Sequence, residues 1–168
     1  MKKLCSLLLL FNCYFSSYSQ TIWELEKDAL GIQVYTRNVN ISSIKEYRAT
    51  TLIKTSIELL VSKIIDGEHL KDWNYKTTKS SLLEKKSDTE FLVYMYNDLP
   101  WPAKNREHIS ELKLDVVSNT LTKISIKSSS KKLAEKKGVI RVVNFSGFWW
   151  VEKTASGVKV TQQMYGDP

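Results

Sequence analysis

Cysteine and histidine are both scarce in this sequence. Its 168 residues contain two cysteines, Cys5 and Cys13, and two histidines, His69 and His108. Both cysteines lie in the first 20 residues, so a chain cleaved after them would have neither a disulfide nor a cysteine ligand for a metal. Two histidines far apart in sequence do not make a metal site. We therefore expect no metal and no other cofactor, and a fold that depends on its hydrophobic core.

Motifs of the common catalytic sites are also missing, so we expect no catalytic residues. The sequence has no Gly-x-Ser-x-Gly, no His-Glu-x-x-His and no glycine-rich phosphate loop. The net charge is +7, but the aromatic residues lie in apolar stretches and not among the lysines of residues 129–138. This arrangement argues against nucleic acid as a partner. The lysine cluster is either a solvated loop or a site of transient contact with a membrane surface of anionic lipids.

The first 20 residues have the order of a secretory signal peptide. A basic start, a short apolar run and a small-x-small cleavage site follow one another as Lys2-Lys3, residues 4–15 and Ser17-Tyr18-Ser19. The apolar run is too short and too polar at its end to stay in a bilayer as a spanning helix. The alternatives are an N-terminal membrane anchor and a lipoprotein modified at Cys13. We expect removal of residues 1–20 and a periplasmic or secreted protein.

Residues 21–168 predict one domain dominated by strands. Alternation of apolar and polar residues predicts strands over 31–37, 45–54, 77–85, 89–97, 106–117, 121–127, 138–152 and 158–166. Residues 21–30 suit a short amphipathic helix that ends at Gly31. Thr55 and Glu58 form a capping box before an apolar helical pattern, and residues 68–73 predict a second short helix. Together these elements predict an α+β fold with an antiparallel sheet.

Two of the three prolines flank a tryptophan in the segment Pro100-Trp101-Pro102. Each proline fixes φ and lacks a ladder donor, so the segment is a rigid link between two strands. We expect Trp101 to be buried against the sheet, so that Trp101→Ala destabilises the fold by about 3–5 kcal/mol. Pro100 and Pro102 are then structural residues. Arg106 follows closely, and we expect its guanidinium to clamp the link by binding loop carbonyls.

The stretch Leu99–Glu107 resembles the START (steroidogenic acute regulatory protein-related lipid transfer) family, in which Pro-Trp-Pro is usually followed by Arg-Asp. Glu107 replaces that aspartate here. The resemblance covers about residues 22–168 and is to the exported bacterial type. Its other carriers are Gly31–Arg37, Trp73, Gly138–Arg141, Gly147–Trp149 and Gly166–Pro168. It implies a helix-grip fold, in which a curved antiparallel sheet and helices surround an apolar cavity.

The resemblance also implies a shortened domain. Family members continue past a sequence like Asp167-Pro168 into a long C-terminal helix that closes the cavity, whereas this sequence stops at Pro168. We therefore expect that lid helix to be absent. The open groove would be an unusually large apolar patch for a soluble monomer. A bound apolar ligand, a homodimer or a helix donated by a partner would then cover it.

Strand parity places several side chains on the concave face of the predicted sheet. A guanidinium there needs a ligand oxygen or another partner, so Arg141 is the first candidate for ligand binding. His108 and Gln162 are the other polar candidates. The predicted apolar wall consists of Leu112, Val143, Trp149 and Met164. The alternatives are that Arg141 lies at the wet end of its strand, that His108 is a satisfied interior histidine, and that the apolar residues are ordinary core.

These features predict non-catalytic binding, with or without transfer, of a lipid or similar apolar molecule. An apolar cavity with a few placed polar groups is typical of small-molecule sites. One alternative is an enzyme similar to the aromatase and cyclase relatives that fold a bound polyketide, with His108 as its acid-base group. The other is a protein-interaction module that accepts a partner's helix in the open groove.

Overall fold

The structure, a computed structural model, describes residues 22–40, 42–129, 131 and 133–167. The predicted signal peptide with its two cysteines, and Pro168, lie outside these residues. The strands of the described part are β1 (Glu24–Ala29), β2 (Ile32–Val39), β3 (Ser42–Ile53), β4 (Thr77–Lys85), β5 (Glu90–Asn97), β6 (Arg106–Ser118), β7 (Leu121–Ser128), β8 (Ile140–Arg141), β9 (Asn144–Thr154) and β10 (Gly157–Asp167). Helix α1 spans Ile57–Ile65, and a 3-10 turn spans Leu70–Asp72.

All ten strands belong to one sheet. Nine of them follow the order β1-β2-β3-β10-β9-β7-β6-β5-β4 with antiparallel neighbours, and the short β8 pairs in parallel with the start of β6. In a flat sheet, five spacings of about 4.8 Å would place β3 and β5 about 24 Å apart. Both strands nevertheless line one cavity. The sheet is therefore curved, and the prediction of a curved antiparallel sheet in an α+β fold is confirmed.

Helix α1 packs its apolar side against the concave face of the sheet. Val61 and Ile64 are buried in the same cluster as side chains of the sheet, as the helical pattern predicts. The cap differs by one position from the predicted capping box. Ser56, and not Thr55, is the N-cap, because its hydroxyl accepts a hydrogen bond from the Leu59 amide at 3.2 Å.

The predicted helix over residues 21–30 is wrong, because this segment contains β1. Leu30 and Gly31 have φ values of 55° and 73°, so they form a tight turn that folds β1 back along β2. Backbone pairing with β2 thus outweighs the helical spacing of the apolar residues, and Leu25 is left 54% exposed. The second predicted helix is reduced to the 3-10 turn, in which Leu70 is buried.

The long strand predicted over residues 138–152 is in fact two strands. β8 ends at Arg141 and pairs with β6, whereas β9 begins at Asn144 and pairs with β7 and β10. Because the strand is interrupted, the alternation of side chains between the two faces does not continue from Arg141 into β9. Arg141 therefore need not share a face with Trp149. Val143 lies in the interruption, is 66% exposed and lines a separate outer pocket. Its predicted place in the cavity wall is therefore wrong.

Trp101 is not buried against the sheet, because its side chain is 92% exposed. The Ala103 amide donates to the Pro100 carbonyl at 3.0 Å, so Trp101 and Pro102 occupy the two corners of a turn, joined by a cis peptide bond. The side chains at both corners are exposed. The burial prediction is wrong, and the large loss of stability predicted for Trp101→Ala no longer has a structural basis.

Two side chains hold the base of this link. Asn105 accepts a hydrogen bond from the Leu99 amide at 2.9 Å and donates one to the Tyr96 hydroxyl at 2.9 Å. Arg106 donates to the Lys104 carbonyl at 2.8 Å, which is the predicted clamp contact. The link is therefore fixed at its base while its tip reaches into solvent.

Candidate ligand-binding cavity

A cavity of about 620 Å³ lies between the concave face of the sheet and the helical segments. Its apolar lining includes Ile64, Leu70, Trp73, Val93, Leu112 and Trp149. Trp73 and Trp149 meet edge to face with ring centroids 6.3 Å apart, so that two indole rings form one part of the wall. The volume lies within the range of about 300–1,000 Å³ typical of small-molecule sites.

The cavity opens where β5 ends and β6 begins. The lining residues with exposed side chains at this end include Ile44 at 42% and Tyr75 at 82%. Along β6 the lining changes inward from Arg106 through His108 and Ser110 to the apolar Leu112. The polarity of the wall therefore decreases from the mouth to the interior. An amphipathic molecule with its polar end at the mouth matches this gradient.

His108 is a neutral hydrogen-bonding group inside the cavity. Its Nδ1 and the Ser110 hydroxyl are hydrogen-bonded at 3.0 Å, and its ring meets that of Phe145 edge to face at 5.0 Å between centroids. Burial lowers the pKa of His108 to about 4. The second ring nitrogen, Nε2, has no hydrogen-bond partner within the described residues and is accessible from the cavity. It is free to bind a polar group of a ligand.

A second polar position lies on β3 and β10. The Tyr47 hydroxyl donates a hydrogen bond to Oε1 of Gln162 at 3.1 Å, and both side chains line the cavity. Met164 lines the wall two residues farther along β10. The hydrogen bond fixes the amide of Gln162, so this position offers a held amide group beside a flexible thioether.

Arg141 lies outside the cavity. Its guanidinium binds Glu107 on the outer side of β6, through Nε at 3.1 Å and Nη2 at 2.5 Å. The two side chains are only 9% and 1% exposed, so this is a buried ion pair. The prediction that Arg141 binds the ligand is wrong because the break between β8 and β9 removes the parity on which it rested. The prediction that a guanidinium here needs a partner is satisfied by Glu107.

Glu107 is the centre of a larger outer network. Tyr94 donates its hydroxyl to Oε2 of Glu107 at 2.7 Å, and Nζ of Lys136 lies 3.7 Å from the same oxygen. Burial opposes ionisation of Glu107, but the bonds from Tyr94 and Arg141 and the charges of Arg141 and Lys136 outweigh it and hold its pKa below its ordinary value. Burial, with the bond to Glu107, raises the pKa of Tyr94. The network ties the connection between β7 and β8 to the outer face of β5 and β6.

The structure places five of the seven predicted ligand-binding residues at the cavity. They are His108, Leu112, Trp149, Gln162 and Met164. The sequence analysis missed most of the other lining residues, among them Tyr47, Asn74 and Met95. Strand parity was the available signal for Tyr47 and Met95. No sequence signal indicates Asn74, because it lies in a turn, where alternation along a strand cannot show which way a side chain faces. Binding by any of these residues stays a prediction.

The described cavity residues are better suited to binding than to acid-base chemistry. His108 lies beside a hydroxyl group, that of Ser110, but a pKa of about 4 makes it a weak acceptor of a serine proton near neutral pH. Within the described ranges, no group of three or more His, Cys, Asp or Glu side chains is placed to hold a metal ion. No helix among the described residues is long and apolar enough to cross a membrane.

Comparisons with known proteins agree with this geometry. A family model for the START domain matches residues 17–162. The structure is similar to that of a STAR-related lipid transfer protein from Xanthomonas axonopodis, with a TM-score of 0.81, 32% identity and coverage of 87% of this chain and 82% of the other. An uncharacterised protein of Pseudomonas aeruginosa is 28% identical over 147 residues, 87% of this chain and 72% of its own length. The phosphatidylcholine transfer protein of Rattus norvegicus is 24% identical over 152 residues, 87% of this chain and 70% of its own length.

The matched region contains nearly all of the fold described above. It runs from before β1 into β10 and includes helix α1 and the strands that line the cavity. The helix-grip architecture that the sequence resemblance implied is therefore confirmed. This chain belongs to the START domain family.

Proposed function

We propose that this protein binds a lipid or another apolar small molecule in its cavity, without covalent chemistry, and exchanges it with membranes. The observation that carries the proposal is the cavity of about 620 Å³ with its mainly apolar wall. Burial of apolar surface contributes about 25 cal/mol per Å², so a ligand that buries a few hundred Å² gains several kcal/mol. Membership of the START family supports a lipid as the ligand class, and so does the lipid-transfer name of the rat relative.

The proposal includes action outside the cytoplasm, in the periplasm or after secretion. Its support is the basic, then apolar, then small-residue order of residues 1–20. A carrier with an enclosed apolar site is useful in such a compartment, because an apolar molecule that crosses water exposes its surface at a large cost in free energy.

Native mass spectrometry of the protein purified from its source tests both parts. We expect the mass of a chain without about its first 20 residues, increased by the mass of one small apolar molecule that is lost on denaturation. Met95→Trp adds volume to the cavity wall and should reduce the bound fraction. Val143→Trp adds the same kind of side chain outside the cavity and should leave that fraction unchanged.

Other masses would contradict the proposal. A chain that still carries Met1 contradicts export. A chemically altered product of an added ligand supports the enzyme alternative, and a bound polypeptide or a second copy of the chain supports a protein partner over the cavity. Ligand-free protein that also fails to take up added lipid contradicts binding itself.

Contact with a membrane surface is part of the proposal, because aromatic and cationic side chains project near the mouth. Trp101 is 92% exposed and Tyr75 is 82% exposed, and both lie at the end where the cavity opens. Lys76 and Lys104 lie nearby in the same loops. Trp and Tyr favour the membrane–water interface, and each lysine near an anionic surface contributes about 1 kcal/mol. A ligand would then pass between the bilayer and the cavity mouth with little exposure to water.

We expect Trp101→Ala to weaken binding to vesicles while it changes the free energy of unfolding by no more than about 0.5 kcal/mol. The exposed indole contributes to the membrane interface but not to the core. Co-sedimentation with vesicles of phosphatidylglycerol and phosphatidylcholine, together with urea titration, measures both quantities. Leu30→Ala is the matched control, because Leu30 is 96% exposed but lies at the opposite end of the sheet. Equal vesicle binding by Trp101→Ala and the control would contradict membrane contact at this tip.

A further inference from the structure

The charged side chains that line the cavity all have one sign. Among the described lining residues there are three cationic side chains, Lys45, Lys76 and Arg106, and no aspartate or glutamate. All three lie at the end where the cavity opens. A cavity that only had to accept an uncharged molecule would have no need of this asymmetry at its entrance.

One of the three cations is already neutralised, whereas the other two are available. Nζ of Lys45 pairs with Glu24 at 3.1 Å and with Glu26 at 3.2 Å. Arg106 donates one hydrogen bond, to the Lys104 carbonyl, and has no carboxylate partner within the described residues. Lys76 likewise has no described carboxylate partner, and its Nζ lies 5.5 Å from the ring centroid of Tyr75. Arg106 and Lys76 therefore line the mouth without an ion pair to any described carboxylate.

The position of Arg106 relates this charge to the neutral groups beneath it. Arg106 and His108 lie two residues apart on the same face of β6, about 7 Å along the strand. Asn97 of β5 lies directly opposite Arg106, and Met95 lies opposite His108. A ligand that enters with its tail first would therefore place its polar end at Arg106, with Nε2 of His108 available as a neutral partner just inside.

We propose that the ligand is an anionic amphiphile, whose hydrocarbon body fills the cavity and whose carboxylate or phosphate group binds Arg106 and Lys76 at the mouth. This inference rests on the proposed function and specifies its ligand class. A guanidinium binds carboxylate and phosphate oxygens through two parallel hydrogen bonds, and such charge-assisted bonds are stronger than neutral ones. The low polarity of the surrounding wall strengthens the attraction further.

Four probes with related apolar bodies test the charge requirement on the delipidated mature chain. Oleate carries a carboxylate, oleoyl lysophosphatidate a phosphate, oleyl alcohol an uncharged group and oleylamine a cation. Trp73 and Trp149 line the cavity, so their fluorescence reports binding at probe concentrations where each amphiphile is monomeric. We expect at least one anionic probe to bind about tenfold more tightly than oleyl alcohol, a ratio that corresponds to about 1.4 kcal/mol, and oleylamine to bind most weakly. The stronger of the two anions identifies the headgroup.

Variants at the mouth locate the effect. Arg106→Gln should weaken binding of the preferred anion about tenfold and change binding of oleyl alcohol less than about twofold, whereas Arg106→Lys should retain most of the preference. Lys76→Gln should also weaken binding of the anion, and it leaves the hydrogen bond from Arg106 to the Lys104 carbonyl in place. Lys113→Gln removes an exposed charge outside the cavity and should change neither affinity. Thermal unfolding of each variant checks that the fold is retained.

The outcomes separate this inference from the proposed function. If oleyl alcohol binds as tightly as both anions, or if Arg106→Gln and Lys76→Gln weaken all probes equally, the anionic class is overturned while lipid binding stands. If no probe binds the folded protein, the proposed function fails for these ligands and the inference fails with it.

Discussion

Glu107→Gln should lower the free energy of unfolding by about 3–5 kcal/mol, because it leaves the guanidinium of Arg141 buried without a countercharge. The side chains of this pair are 1% and 9% exposed, and Tyr94 donates to the same carboxylate at 2.7 Å. The Val142 amide also donates to the Glu107 carbonyl at 2.9 Å, and Val142 lines the cavity. Urea titration at neutral pH measures the loss.

Two variants show whether the loss comes from an uncompensated charge. Glu111→Gln removes a more exposed acceptor of Lys127 from the outer face of the same strand and should cost less than about 1 kcal/mol. The double variant Glu107→Leu with Arg141→Met removes both charges and should recover much of the stability, because an apolar pair can replace a buried ion pair. A loss below 1 kcal/mol for Glu107→Gln would mean that water reaches the pair and that the network does not hold the outer connection.

His108 should make the folded protein less stable as the pH falls from about 6.5 to about 4. Burial lowers its pKa from an ordinary 6.5 to about 4 in the folded state, so the unfolded chain binds the proton first in this range. The unfolded state is then favoured by up to about 1.4 kcal/mol for each pH unit, which amounts to about 2–3 kcal/mol at pH 4.5 relative to pH 7.5. The stability is fully present above the unfolded pKa and is lost below it.

The His108→Gln variant separates this effect from the titration of carboxylates, which also destabilise the protein in acid. The free energy of unfolding of both proteins is measured by urea titration at pH 4.5, 5.5 and 7.5, and their difference isolates the imidazole. We expect the natural protein to lose about 2–3 kcal/mol more than the variant between the two extremes. An equal loss, or an imidazole that protonates near pH 6.5 by NMR, would show that the cavity hydrates the ring.

Local sequence patterns determined most of the secondary structure. The alternation over residues 77–85 coincides with β4, and the helical spacing after Ser56 coincides with α1. Each of these elements buries one face. Apolar residues recur on that face every two residues in a strand and every 3.6 residues in a helix, so the sequence alone shows which residues share it. The same regularity, with the Pro-Trp-Pro link, led to the correct fold class, and it also identified His108 and Gln162 as residues of the cavity.

Predictions failed where a segment's surroundings outweighed its own pattern. The segment of β1 has helical spacing, yet the turn at Leu30 and Gly31 pairs it with β2. Trp101 is the kind of residue that is usually buried, but its place at the corner of a turn leaves it in solvent. In both cases the residue spacing and the hydrophobicity were identified correctly. Backbone hydrogen bonds nevertheless determined whether the segment forms a strand and whether the side chain is buried.

The sequence by itself determined that a guanidinium in a strand of this apolar character needs a partner, and only the tertiary structure decided which one. Arg141 binds Glu107, 34 residues earlier, because β8 pairs with the start of β6 and the strand is interrupted before β9. A sequence pattern describes which neighbours share a face, but the choice of face depends on pairing between distant strands. The same long-range pairing placed Arg106 and Lys76 at the mouth of the cavity, where the described lining residues include no carboxylate.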